Sequence, residues 1–172
     1  RSHGITKDSK KFITPEAGRW YFEQQTLGWN YRMNDIEASL GIEQLNRIDK
    51  FISKRNSIAK IYKNSLSDEI SFQDFDDSFI SSYHLFVIQL KDEETRNSLF
   101  NYLYKKGIGV QVHYIPVHTH PYYKKLGFRN LDFPNSIDYY SRSVSIPIFY
   151  SLRRKEQDLI IDTINSFLIK KS

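Results

Sequence analysis

The chain has 172 residues, 40% hydrophobic and 26% charged, which suits one ordinary domain with a packed core and is too apolar for a disordered segment. It has no cysteine, which excludes a disulfide framework and a thiolate metal site and fits a reducing cytoplasm. The net charge of +5 lies wholly in residues 1–64, with 12 Lys and Arg against 7 Asp and Glu, while residues 65–172 balance at 13 and 13. A basic field of this kind attracts a phosphate-bearing ligand. Nucleic acid is not expected, because the aromatic and basic residues do not interleave on a recognisable sheet motif. No apolar run approaches the ~20 residues of a membrane span, and the charged start does not read as a signal peptide. The expected location is the cytoplasm.

In chain order, residues 6–27 mix charged, aromatic, Gly and Pro residues without period and read as a long ordered loop or meander. From Asp35 to about Leu66, apolar residues recur at helical spacing (Ile36, Leu40, Leu45, Ile48, Ile52, Ile58, Ile61, Tyr62). They predict one long helix, bent near Ser53 to Ser57. Residues 68–82 are acidic and loop-like, with a short strand among them. Tyr83 to Leu90 reads as a strand, with His84 in a structural role.

Asp92 is placed to cap a helix running from Glu93 to about Lys106, with Leu99, Phe100 and Leu103 inward and Gly107 closing it. Val110 to Tyr114 predicts a second strand, ended by Pro116. A short helix follows over Tyr122 to Leu126, stopped by Gly127. Another, capped by Asn135 or Ser136, covers Ile137 to Arg142 before a strand at Val144 to Ile148. Residues 154–169 close the chain as an amphipathic helix through Leu159, Ile160, Ile164, Phe167 and Leu168. The alternation of helix and strand implies an α/β sandwich with one sheet.

Two stretches offer chemistry. Gly28 to Gly41 sets Asn30, Arg32 and Asn34 among aromatics just before the long helix. Asn34 suits an N-cap, and Asp35 and Glu37 put negative charge where the helix dipole favours it. The trio reads either as a ligand contact held by a rigid helix or as ordinary surface polars beside a well-capped one. In His113-Tyr114-Ile115-Pro116-Val117-His118-Thr119-His120 the imidazoles cluster. Their spacing argues against a metal, since His118 and His120 share a face only if extended and no carboxylate or cysteine completes a tetrahedral set.

Gly28-Trp29-Asn30-Tyr31-Arg32-Met33-Asn34-Asp35-Ile36 through Gly41 resembles the G-x-N-x-R-M-x-D-I-x-A-A-x-G signature of the DegT/DnrJ/EryC1/StrS family. These are pyridoxal-phosphate (PLP) aminotransferases acting on nucleotide-linked keto-sugars. Arg1-Ser2-His3-Gly4-Ile5 is similar to the family's R-x-H-G stretch. Ser82 to Ile88, Gly107 to His118, Pro121 to Tyr123 and Phe133 through Phe149 continue the likeness in order. The form Val110-Gln111-Val112-His113-Tyr114-Ile115-Pro116-Val117-His118 most resembles the branch that aminates a UDP-4-keto-6-deoxy-N-acetylhexosamine on the way to pseudaminic acid. Trp29 and Ser39 depart mildly from the family, which favours Tyr or Phe and Ala there.

The resemblance implies an α/β chain forming the C-terminal small domain of a fold-type I aminotransferase, with the end of the large domain at its N-terminus. Residues 1–34 would connect from the PLP-binding large domain and include the cofactor-phosphate loop, and residues 35–172 would form the C-terminal domain. It implies a homodimer with shared active sites, in which Asn30 reaches the partner's PLP phosphate through an amide donor. Arg32, His113, Tyr114 and His118 would face the UDP-sugar substrate, with an amino acid, expected to be glutamate, as amine donor. Arg32 equally suits a brace for the adjacent helix, Tyr114 a core aromatic and His3 structural support. The family's Schiff-base lysine lies upstream of the R-x-H-G stretch. The lysines here, such as the pairs at 10–11, 105–106 and 170–171, sit in polar surroundings unlike those that lower a lysine's pKa. The chain alone is therefore expected to be inactive. A stand-alone module that binds a nucleotide sugar or a partner remains the other reading.

Overall fold

The computed structural model describes residues 2–14, 18–73, 76 and 78–171, the last without its side chain. Arg1, the first residue of the R-x-H-G stretch, lies outside them. The chain divides into two compact units, residues 1–48 and 49–172.

In the first unit, β1 (Ile5–Thr6) pairs antiparallel with β2 (Glu23–Gln24), Ile5 opposite Gln24 and Thr6 opposite Glu23. The stretch read as a loop or meander thus returns on itself as a two-stranded ribbon. Helix α1 (Asp35–Asn46) follows. Asn34 caps it reciprocally: its side-chain oxygen accepts from the Glu37 N–H at 2.9 Å, and the Glu37 carboxylate accepts from the Asn34 N–H at 3.1 Å.

The second unit begins in α2 (Ile48–Ser65). The single bent helix expected from Asp35 to Leu66 is two helices broken at Arg47, whose N–H closes the end of α1 on the Gln44 carbonyl at 3.1 Å. Residues 53–57 stay helical, the Asn56 side chain bonding back to the Ile52 carbonyl at 2.9 Å without displacing the helix. Burial also divides the expected stripe: Ile58 and Tyr62 are buried, whereas Ile36, Leu40 and Leu45 are exposed.

Strands β3 (Ser71–Phe72), β4 (Phe86–Gln89) and β5 (Ser143–Ile146) form one antiparallel sheet in the order β3-β4-β5. Phe86 lies opposite Ile146 and Ile88 opposite Val144, so all four share one face. That face packs with Ile58 and Tyr62 of α2, Leu99 and Leu103 of α3 (Glu93–Lys105), and Ile160, Ile161 and Ile164 of α6 (Arg154–Lys171). The alternate residues Val87 and Ser145 pair on the opposite face, where Ser145 is also buried.

Helix α3 starts at Asp92, whose carboxylate accepts from the Thr95 N–H at 2.7 Å, and Gly107 ends it with φ +74°. Phe100 packs against the core only in part, while Leu99 and Leu103 are fully buried. In α6 the inner face carries Ile161, and Leu159, expected inward, is exposed. Two short helices, α4 (Pro121–Lys125) and α5 (Pro134–Arg142), lie between α3 and β5. The start of α5 differs from expectation. Pro134 opens it and Phe133 occupies the cap position, because proline's fixed φ suits a first helical turn without any side-chain cap.

The predicted strand at Val110 to Tyr114 is a single bridge. Gln111 and Ser145 exchange both backbone hydrogen bonds, at 3.2 and 2.7 Å. Beyond it, the Val112 N–H is taken by the Gln111 side chain at 2.9 Å, and the ladder stops. His84 precedes β4 rather than lying in it and is exposed, so it is not the structural residue expected. No helix among the described residues is long and apolar enough to cross a membrane.

Candidate functional site

In the first unit the backbone around Asn30 is set by two glycines. Gly4 has φ +73°, and a Cβ there would lie 1.9 Å from the Thr26 carbonyl oxygen. A Cβ on Gly28 would lie 2.3 Å from the Gly4 nitrogen. Only hydrogen lets the two strands of chain pass this closely. Hydrogen bonds then tie the crossing: the His3 N–H donates to the Trp29 carbonyl at 3.2 Å, and the Gln24 amide to the His3 carbonyl at 3.0 Å. His3 supports the loop through its backbone. Trp29 and Tyr31 stack at 5.9 Å, and Asn30, which separates them in sequence, is exposed.

Arg32 is also exposed and lines a hollow of about 480 Å³ with Ser2, Ile5, Lys7 and Phe22. Two cations and a hydroxyl around one hollow suit an anion. Lys7 and Ser2 escaped the reading by motif, although the basic excess of residues 1–64 pointed to this part of the chain.

In the second unit, His113 is half-buried on the sheet's second face, its Nδ1 2.8 Å from the Ser145 hydroxyl. Its ring meets that of Tyr114 edge-on at 4.5 Å. Tyr114 is 67% exposed and is not a core aromatic. His113 lines two hollows: one of about 220 Å³ with Lys63, Gln73, Tyr83 and Tyr139, and one of about 250 Å³ with His84, Gln111 and Ser145. Ser145 lies in the family-like stretch Phe133 through Phe149 but was not named as a site residue, because a serine in a strand carries no local signal of its partner.

His118 sits in a 3-10 turn (Val117–Thr119) with its ring 4.6 Å from that of Phe133. It is buried, and its Nε2 has no hydrogen-bond partner among the described residues. The neighbouring Asp132 carboxyl is held below its ordinary value, first by hydrogen bonds from Arg129, with the His118 imidazole a smaller contributor. Among the described residues no three His, Asp or Glu side chains converge as a metal site would require. A larger hollow of about 870 Å³ runs along α2 beside Ile52, Asn56, Lys60 and Tyr83, and contains none of the five predicted side chains.

The structure thus brings His113 and Tyr114 together in one unit and places Asn30 and Arg32 along one exposed loop in the other. The sequence profile of the DegT/DnrJ/EryC1/StrS aminotransferase family matches residues 1–165. The chain belongs to that family.

Among DegT/DnrJ/EryC1/StrS relatives, it is 36% identical to the UDP-4-amino-4,6-dideoxy-N-acetyl-beta-L-altrosamine transaminase of Campylobacter jejuni, over 99% of this chain and 44% of that one. It is 32% identical to the spore coat polysaccharide biosynthesis protein SpsC of Bacillus subtilis, over 96% and 44%. The fold matches that of Spr1654 from Streptococcus pneumoniae, assigned as a sugar aminotransferase. In its apo form the TM-score is 0.81 and the identity 29%, over 98% of this chain and 41% of that one. Spr1654 has also been solved in PLP and PMP forms. The chain spans about 44% of the length of these curated relatives. Its mixed α/β architecture is therefore that of a portion of the family's PLP aminotransferases, as the resemblance implied.

Proposed function

We propose that these residues supply the phosphate-facing and substrate-facing parts of a PLP-dependent aminotransferase. The intact enzyme moves an amino group from glutamate onto the C4 keto group of a UDP-linked 6-deoxy-N-acetylhexosamine. The observation that carries this reading is the 36% identity, along 99% of the chain, to a transaminase named for a UDP-linked 4-amino-4,6-dideoxy sugar.

The residues present fit a phosphate-bearing cofactor. Asn30 offers an exposed amide donor on a loop anchored at Gly4 and Gly28, and Arg32 and Lys7 add positive charge nearby. In this reading Asn30 holds the PLP phosphate of a partner subunit, and PLP, when bound, supplies the electron sink on which the amino group is carried. Arg32, His113, Tyr114 and His118 bind the nucleotide sugar through its phosphates and hydroxyls. Residues 1–34 form the connection to the cofactor-binding domain and residues 35–172 the C-terminal domain.

Among the described lysine side chains none is buried, and only Lys63 is half-buried. A lysine that carries PLP needs burial or a neighbouring cation to lower its pKa. In this reading the cofactor lysine lies outside the described residues, which do not transaminate by themselves. The exposed Trp29, Tyr31, Ile36, Leu40 and Leu45 support a homodimer, since apolar side chains gathered on one loop and helix are normally covered. The absence of cysteine supports a cytoplasmic enzyme.

The test is amino transfer by the protein at its native length, supplied with PLP, glutamate and the UDP-linked 4-keto sugar. The expected result is 2-oxoglutarate formed in step with the 4-amino sugar, and a dimer in solution. Asn30→Ala should weaken PLP retention about tenfold, the scale of one hydrogen bond to a charged group. No transfer, together with unchanged PLP affinity in the variant, would count against the assignment.

A further inference from the structure

His113 is held by one hydrogen bond, and the chemistry of its partner decides which ring nitrogen carries the proton. Its Nδ1 lies 2.8 Å from the Ser145 hydroxyl oxygen, and neutral imidazole can accept there or donate there, but not both.

Ser145 is pinned from both sides. It pairs with Val87 across the sheet, and its backbone exchanges two hydrogen bonds with Gln111, at 2.7 and 3.2 Å. It is 6% exposed and stands at the wall of the hollow of about 250 Å³ that it shares with Gln111 and His84. Among the described residues the Ser145 side chain makes one hydrogen bond, the one to His113. If Nδ1 donated to it, the hydroxyl proton would find no acceptor among the described residues and would be left to water in the hollow, whereas buried hydroxyls are normally bonded within the protein. The arrangement that satisfies both groups has the Ser145 O–H donating to Nδ1. The imidazole proton then resides on Nε2, across the ring from Ser145, where the described residues provide no hydrogen-bond partner.

We propose that Ser145 is a positioning residue for His113, its hydroxyl donating to Nδ1 so that the Nε2–H is presented to an oxygen of the diphosphate on the bound nucleotide. Gln111 contributes by locking the backbone two residues before His113 to the same serine. The ring is thereby fixed at its side chain and at its chain segment. The ligand part of this inference rests on the nucleotide-sugar reading above; the tautomer part rests on geometry alone.

Two measurements on the native-length protein separate these parts. The first is long-range proton–nitrogen NMR of ¹⁵N-histidine-labelled protein at neutral pH, with the His113 signals identified by their loss in His113→Gln. A proton on Nε2 and a hydrogen-bonded, unprotonated Nδ1 are expected. A proton on Nδ1 would overturn the proposal. The second is UDP binding by calorimetry to wild type, Ser145→Ala and Ser145→Thr. About fivefold weaker binding is expected in Ser145→Ala, the scale of one neutral hydrogen bond, with recovery in Ser145→Thr, which keeps the hydroxyl. Equal affinity in wild type and Ser145→Ala would overturn the positioning role. A wild type that does not bind UDP would refute the nucleotide-sugar reading instead, and the tautomer would still be decided by the NMR signals.

Discussion

The Tyr62 hydroxyl donates to the carbonyl oxygen of Pro147 at 2.8 Å, joining the middle of the buried face of α2 to the chain just after β5. Tyr62 is fully buried and packs on Phe86 at 5.1 Å between ring centroids. Tyr62→Phe keeps the ring and removes the donor, leaving the Pro147 carbonyl unpaired. It should cost about 1–2 kcal/mol in equilibrium unfolding by denaturant. Burial also pushes the phenol up from its ordinary value. An acid whose folded pKa is raised stabilises fully below its unfolded value and loses that contribution as the pH rises past about 10. The alkaline loss of stability should therefore be smaller in the phenylalanine variant.

Gly28 and Gly41 make opposite predictions from the same substitution. Gly28→Ala places a methyl 2.3 Å from the Gly4 backbone, which has no flexible end to yield. It should destabilise the first unit by about 1–3 kcal/mol, as overpacking does. Gly41 lies inside α1 with nothing within 4 Å of an added Cβ, so Gly41→Ala should stabilise by about 0.5–1 kcal/mol through helix propensity. Unfolding curves of the two variants check both signs. If Gly28→Ala matched wild type, the close crossing would be wrong.

Glu23 sits at the end of the β1–β2 ribbon with an acid strength set by its donors. Its carboxylate accepts from the Thr14 hydroxyl and from the Ile13 and Thr14 N–H groups, each N–H at 2.8 Å, which hold its pKa down to about 2. A carboxyl with a depressed folded pKa stabilises above its unfolded value near 4.5 and loses that contribution as the pH falls toward about 2. The amide proton shifts of Ile13 and Thr14 should titrate with a midpoint near 2 and become flat in Glu23→Gln. A midpoint near the ordinary glutamate value would contradict the hydrogen-bonded loop.

His118 separates stability from binding. Its buried Nε2 has no partner among the described residues, so no hydrogen bond from them favours the folded chain there. His118→Leu should leave stability within about 1 kcal/mol of wild type, or raise it, because a lone buried polar atom is removed. If His118 contacts the nucleotide sugar, the same variant should bind UDP more weakly. Lost stability with retained UDP binding would make it a packing residue instead.

Much of this was legible in local chemistry. Asp92, Gly107 and Gly127 were readable as a cap and two helix ends because each acts through its own backbone neighbourhood. The Asn34 N-cap was readable for the same reason, whereas the bond that Glu37 returns to the Asn34 N–H was not. Where chain segments compete for hydrogen bonds, periodicity misled. Val110 to Tyr114 has the composition of a strand, yet one bridge to Ser145 is all it forms. Asp35 to Leu66 has one apolar rhythm, and its break at Arg47 left no mark in that rhythm. Apolar spacing records which faces need cover and is silent on where a helix stops.

The candidate site divides in the same way. Asn30, Arg32, His113, Tyr114 and His118 were named from ordered motifs, which by themselves also placed the chain with PLP sugar aminotransferases. Residue order and spacing are properties of the chain and need no folding to be read. Which side chains touch was decided only by tertiary structure. The Ser145 hydroxyl on His113, 32 residues away, and Lys7 beside Arg32 depend on register and chain crossing. Those are set by burial of Phe86, Ile88, Val144 and Ile146 on one sheet face, and by the contact of Gly4 with Gly28. Sequence determined the chemistry on offer; packing determined which groups could use it together.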